Sequence, residues 1–89
     1  MYRLQATKKF KKGFQKLEKS DQKAAEKALK QLAKNPRHPS LRVKKMKGSQ
    51  NDIWEASANM DIRITFHFQS PDIMVLRNCG HHDPTLKNP

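Results

Sequence analysis

Asp61-Ile62-Arg63-Ile64-Thr65-Phe66-His67-Phe68 is the stretch that decides the fold. Ile62, Ile64, Phe66 and Phe68 alternate with Arg63, Thr65 and His67. A period of two puts the apolar set on one face of a strand and the polar set on the other. The apolar face must meet something hydrophobic. The polar face is expected to stay open, with Arg63 and His67 on it. Asn59-Met60-Asp61 before the strand reads as a hairpin turn, and Ser70-Pro71-Asp72 after it turns the chain again.

On the C-terminal side, Ile73 to Cys79 reads as a hydrophobic strand. It is apolar on both faces over Ile73 to Leu76, as an interior strand would be. The chain is expected to leave the sheet at Gly80, followed by a tail of His81-His82-Asp83-Pro84. On the N-terminal side, Ile53 to Ala58 reads as a strand with Trp54, Ala56 and Ala58 on one face. Gly48-Ser49-Gln50-Asn51 reads as a turn, and Leu41 to Lys47 as a short edge strand or extended segment.

The first third of the chain carries the partners of the sheet. Tyr2, Leu4 and Ala6 alternate with polar residues in a short strand. Thr7 can cap a helix over about 7–18, with Phe10, Phe14 and Leu17 on one face. Gly13 weakens that helix by about 1 kcal/mol relative to Ala. Ser20-Asp21 reads as a turn and cap for a second helix over about 21–34. Its stripe is Ala25, Leu29 and Leu32, and Asn35-Pro36 stops it. The order of strand, helical hairpin and a run of strands joined by tight turns is an α+β fold. The hairpin packs on one face of a small, mostly antiparallel sheet. Residues 1–89 form one domain, because a chain of 89 residues rarely divides.

Charge is segregated along this sequence. Residues 1–47 hold 16 Lys and Arg against three acids, a balance of +13, and residues 48–89 hold three against five, a balance of −2. Their total is the net +11 of the chain. Such a domain attracts a polyanion, because each cation that meets a phosphate releases a counterion. Lys8, Lys9, Lys12, Lys44, Lys45, Lys47 and Arg77 are candidate RNA-binding residues, and Trp54 is a candidate base-stacking residue. Read structurally, the lysines are a solvated helix face and Trp54 belongs to the core. The single cysteine, Cys79, excludes an internal disulfide and reads as a small core residue. It fits a reducing cytosol. No apolar run approaches the length of a membrane span, so a cytoplasmic location without membrane contact is expected.

The ordered set of these pieces resembles the RelE/ParE superfamily of bacterial toxins over nearly the whole length. The resemblance rests on the lysine-rich hairpin with Asn35-Pro36 at its end and on Lys44-Lys45-Met46-Lys47-Gly48. It rests further on Asp61-Ile62-Arg63-Ile64-Thr65-Phe66 and on Val75-Leu76-Arg77-Asn78-Cys79-Gly80-His81-His82-Asp83. It implies a toxin silenced by an antitoxin, here one expected to be acidic or amphipathic given the charge. Many relatives inhibit translation by cutting mRNA on the ribosome without a metal. Others of the same fold bind gyrase and do not cut RNA.

Metal-free cleavage needs a base for the ribose 2′-hydroxyl, a cation for the phosphorane charge and an acid for the leaving oxygen. The resemblance assigns Arg63 to the scissile phosphate and His82 to general acid or base work. His81 is the second choice, and His67 is an assisting group that Asp61 or Glu55 could orient. No cofactor and no metal are expected, since side chains of neighbouring histidines on an extended segment diverge. Two features depart from the ribosome-dependent relatives. Their strand lysine pair falls, by counting, on Trp54 and Ala56, and their C-terminal aromatic is replaced near Leu86. A non-cleaving toxin and a plain nucleic-acid-binding domain remain as alternatives.

Overall fold

The computed structural model describes residues 1–48 and 52–89, so most of the turn expected at 48–51 lies outside the described residues. Strand β4 (Ile62–Gln69) is the centre of a five-stranded sheet of order β1-β5-β4-β3-β2. β5 (Ile73–His81) and β3 (Trp54–Ser57) flank it, both antiparallel. β1 (Arg3–Ala6) joins the far side of β5 as a parallel pair, and β2 (Lys44–Lys45) lies at the other edge. Helices α1 (Lys8–Gln15) and α2 (Lys19–Lys34) cover one face. A 3₁₀ turn (Pro39–Leu41) follows them, and α3 (His82–Lys87) ends the chain.

Alternation in β4 has the consequence the sequence predicts. Ile62, Ile64 and Phe66 are fully buried in a core with Phe10, Leu17, Ala25, Ala28, Leu32, Leu41, Met74, Leu76 and Cys79. The register places Trp54 opposite Phe66 and Ala56 opposite Ile64, so both side chains lie on this helix-covered face. Phe68 lies at its open end, 40% exposed, in ring contact with Tyr2, Trp54 and Phe66.

Thr7 joins helix to sheet. Its Oγ1 accepts from Phe10 N at 3.2 Å, capping α1, and donates to Leu76 O at 2.9 Å on β5. Gly13 is a fitting residue rather than a flaw in α1. A Cβ there would strike the Cys79 carbonyl oxygen, so the missing side chain lets the helix lie against β5. α1 stops at Gln15, earlier than the periodicity suggests, and the Phe14 carbonyl accepts from Leu17 N at 3.1 Å and from Gln22 Nε2 at 3.0 Å. α2 begins at Lys19 with Glu18 as its cap position, so Ser20 and Asp21 lie inside the first turn. There Asp21 favours the positive end of the helix dipole and accepts from Asn59 Nδ2 at 3.0 Å.

The C-terminal half departs further from expectation. β5 does not end at Gly80 but runs to His81, and the tail is the helix α3. Pairing between β4 and β5 slips between Thr65 and Phe66: Thr65 faces Asn78 and Phe66 faces Leu76, which leaves Arg77 as the extra residue of a bulge. Burial on β5 changes parity there, from Met74 and Leu76 to Cys79. The edge segment expected over Leu41 to Lys47 is mostly the 3₁₀ turn and a loop, with strand only at Lys44–Lys45.

Candidate functional site

The sheet face away from α1 and α2 carries, by register, Ser57, Arg63 and Gly80 in one row. The next row holds Lys44, Glu55, Thr65 and Asn78, and His67 and Val75 stand beyond it. This face is not open along its length, contrary to the expectation for it. α3 packs on β4 and β5, Thr65 is fully buried, and Glu55 is 7% exposed. Thr65 Oγ1 has no hydrogen-bond partner among the described residues.

Arg63 lies at the β3–β4 turn. Its Nη1 donates to the carbonyls of Asn59 at 2.7 Å, Met60 at 3.2 Å and Ile62 at 3.2 Å. The turn is rigid for its own reasons: Asn59 Oδ1 accepts from the backbone N–H groups of Asp61 and Ile62 at 2.9 and 2.8 Å. One guanidinium nitrogen is thus anchored, and Nε and Nη2 have no partner among the described residues. Arg63 borders a cleft of about 280 Å³ with Ser57, Arg42 and Met60.

His82 belongs to the same end of the sheet, because its backbone N–H donates to Asp61 O at 2.9 Å. It is the first residue of α3 and exposed. Its Nδ1 lies 2.9 Å from Asp83 Oδ1. A carboxylate there favours the tautomer with the proton on Nδ1 and leaves Nε2 open to solvent for proton transfer. His81 precedes it at the cap position, opposite Ile62.

His67 stands apart from this pair. It lies four residues beyond Arg63 on β4, about 13 Å along an extended strand. Its Nδ1 is 2.9 Å from Arg77 Nη1. A guanidinium can only donate, so Nδ1 accepts and the ring proton sits on Nε2. Burial, and secondarily the Arg77 charge, lower the His67 pKa and keep the ring neutral. In this arrangement His67 offers a hydrogen-bond donor and not a free base. Asp61 is at the far end of β4, and Glu55 is diagonal to His67 across β3.

Among the expected RNA-binding residues, Lys8, Lys12, Lys44 and Lys47 are exposed and have no side-chain partner among the described residues. Lys45 pairs with Asp52 at 2.8 Å on the surface. Lys9 Nζ donates to Asn88 O at 2.6 Å and Arg77 Nε to Pro89 O at 3.2 Å, so they tie the C-terminal segment to α1 and to β5 respectively. Trp54 is half-buried. The Cys79 thiol is buried and its pKa is pushed up to about 12 by that burial, which removes it as a nucleophile.

Sequence reasoning missed three things here. The partner of His82 was legible in the adjacent Asp83. The residues beside Arg63 on its own face are Ser57 and Glu55, not Trp54 and Ala56, and only the register reveals that. The bulge at Arg77 leaves no mark in the alternation.

The amino-acid sequence matches no family model and no curated protein. Solved structures do match along almost the entire chain. A metal-bound toxin from Helicobacter pylori is 25% identical, covers 94% of this chain and 98% of its own, and superposes with a TM-score of 0.78. YafQ from Escherichia coli is 12% identical over 94% of this chain and 97% of its own, with a TM-score of 0.77. The archaeal RelE–RelB complex from Pyrococcus horikoshii gives 19% identity, 92% and 96% coverage and a TM-score of 0.75. The chain therefore has the α+β fold of the RelE, YafQ and YoeB/ParE toxins.

Proposed function

We propose that this protein is the toxin of a type II toxin–antitoxin pair and inhibits translation by ribosome-dependent, metal-independent cleavage of mRNA. The observation that carries the chemistry is the His82–Asp83 pair, held by a backbone bond to Asp61 at the end of the sheet where Arg63 is anchored. Support for the biological setting comes from the fold shared with RelE and YafQ, and from the basic N-terminal half. Among those neighbours are complexes of RelE with RelB and of YafQ with DinJ. The partner that silences this chain is accordingly an antitoxin with an acidic or amphipathic segment.

In this reading the free nitrogens of Arg63 hold the scissile phosphate, and the anchored Nη1 prevents the guanidinium from swinging away. The ribose 2′-oxygen loses its proton, attacks phosphorus, and the bond to the 5′-oxygen breaks. The products are a 2′,3′-cyclic phosphate and a 5′-hydroxyl. His82 accepts the 2′-hydroxyl proton at Nε2, which is bare in this tautomer, and water protonates the departing 5′-oxygen. His81, the alternative proton-transfer residue, stands opposite Ile62 and lines a cleft with Gly13 and Lys16, on the other face from Arg63, which favours His82. His67 assists as an Nε2–H donor. Lys8, Lys9, Lys12, Lys44, Lys45, Lys47 and Arg77 supply the attraction to RNA.

Primer extension on an mRNA in a reconstituted translation mixture tests this. New cuts that require ribosomes, and that fall by about a hundredfold or more in His82→Ala and Arg63→Ala, are expected. A second reading is a toxin of this fold that binds gyrase or another target without cleavage. It is favoured by Trp54 and Ala56 at the positions of the lysine pair, on the face away from Arg63 and its scissile phosphate. Growth arrest with no cuts at all would establish that reading and overturn the first.

A further inference from the structure

A second cleft adjoins the one at Arg63, with Arg42 on the rim of both. It encloses about 290 Å³ and is lined by Pro36, Arg37, His38, Pro39, Arg42 and Trp54. We propose that this cleft is a binding site for one unpaired nucleotide of single-stranded RNA, with the base on the Trp54 indole and the flanking phosphate on Arg37 and Arg42. The inference rests on the reading of the chain as RNA-directed but not on cleavage.

Four observations carry it. First, both guanidiniums are exposed and neither has a hydrogen-bond or ion-pair partner among the described residues. Two free forks beside one aromatic wall match a phosphate next to a base. Second, the wall is rigid. Trp54 is fixed in β3, with Phe68 edge-on at 5.8 Å, and keeps part of its indole exposed. A pre-set aromatic platform loses little entropy when a base stacks on it.

Third, Arg42 has φ 48° and ψ 43°, the left-handed conformation that glycine or asparagine would adopt more easily. Its backbone N–H donates to Pro39 O at 3.2 Å and closes the 3₁₀ turn. A long cation at a position suited to a small residue is a cost that folding alone does not explain. Fourth, His38 is oriented. Its Nδ1 accepts from Ser40 N at 3.2 Å and lies 2.7 Å from Ser40 Oγ, which leaves the proton on Nε2 as a donor. Such a donor suits a base-edge carbonyl or ring nitrogen. Pro36 and Pro39 stiffen the loop that carries all three polar residues.

Trp54 is the single tryptophan of the chain, so its fluorescence reports on this cleft alone. The full-length protein is titrated with a 2′-O-methyl adenosine tetranucleotide, which cannot be cleaved. Saturable quenching is expected, and Arg37→Ala/Arg42→Ala should weaken it roughly tenfold. Lys19→Ala/Lys23→Ala removes the same charge from exposed positions on α2 and should weaken it less than about twofold. Absence of quenching overturns the proposal. So does an equal loss in both double variants, which would mean general charge attraction. Quenching by a hexaglutamate peptide as strong as by the tetranucleotide would also overturn it, in favour of an acidic protein segment. Quenching without any mRNA cleavage would sink the proposed nuclease reaction and leave this site standing. Cleavage without quenching would do the reverse.

Discussion

The two faces of the β4 strand differ in kind. One is a continuous apolar surface against two helices, in which Ile62, Ile64 and Phe66 are fully buried. The other holds Arg63, Thr65 and His67, with a short helix packed on part of it and a buried hydroxyl that finds no partner among the described residues. The first face obeys every packing rule, and its residues are predictable from hydrophobicity alone. The second breaks a rule at Thr65 and places a neutral imidazole against a guanidinium at His67. Departures of this kind gather where a surface serves something other than stability.

The sharpest way to break that contrast is to remove the centre of the first face. Phe66 is fully buried, and its ring meets Phe68 at 5.5 Å. Phe66→Ala should cost about 3–5 kcal/mol, from lost transfer energy and the cavity left behind. Urea unfolding monitored by circular dichroism measures it. A cost below about 1 kcal/mol would mean the core is not the rigid face described above.

Its neighbour in sequence should behave in the opposite way. Thr65→Val keeps the shape and the β-branch but deletes the orphaned hydroxyl. An unsatisfied buried hydroxyl costs about 1–3 kcal/mol, so the variant should be neutral or more stable by about 1 kcal/mol in the same unfolding experiment. A loss of more than about 1 kcal/mol would show that the hydroxyl has a partner in solution, and that the second face is as well satisfied as the first.

How legible each face was follows from the same difference. The alternation from Ile62 to Phe68 announces a strand, its apolar side and the turns at both ends, because burial is read from residue type. The helical hairpin is announced by Phe10, Phe14, Ala25, Leu29 and Leu32 at helical spacing. The α3 helix was hidden, since His81-His82-Asp83-Pro84 reads as a tail leaving the sheet at Gly80 and six residues are too few for a periodic pattern. Its Pro84 is tolerated because it lies in the first turn, where no intrahelical donor is needed. The Arg77 bulge was hidden too, because an unpaired extra residue alters register without altering composition. Arg63 and His82 were found from the resemblance. Asp83, the partner of His82, stands next to it in the sequence, whereas the turn carbonyls that hold Arg63 and the return of the chain end to the hairpin emerge only from backbone geometry.

The smallest effect expected is a pH dependence that belongs to the second face alone. Burial first, and Arg77 second, place the His67 pKa in the folded protein below its ordinary value of 6.5. The folded state therefore prefers the neutral ring, while the unfolded chain takes up a proton as the pH falls through the ordinary value. Between those two pKa values the unfolded state binds more protons, so this group makes stability rise with pH and fall on acidification. His67→Gln should flatten that part of the stability profile on going from about pH 7.5 to 5.5, while leaving the high-pH plateau nearly unchanged. Proton NMR titration of the imidazole gives a second measure, and Arg77→Gln should move the His67 midpoint back up by removing the nearby charge. A midpoint at or above the ordinary value in the wild-type protein would mean that Arg77 does not lean on His67 in solution. His67 would then be free to accept a proton, and it would return to the set of candidate bases from which its bond to Arg77 removes it.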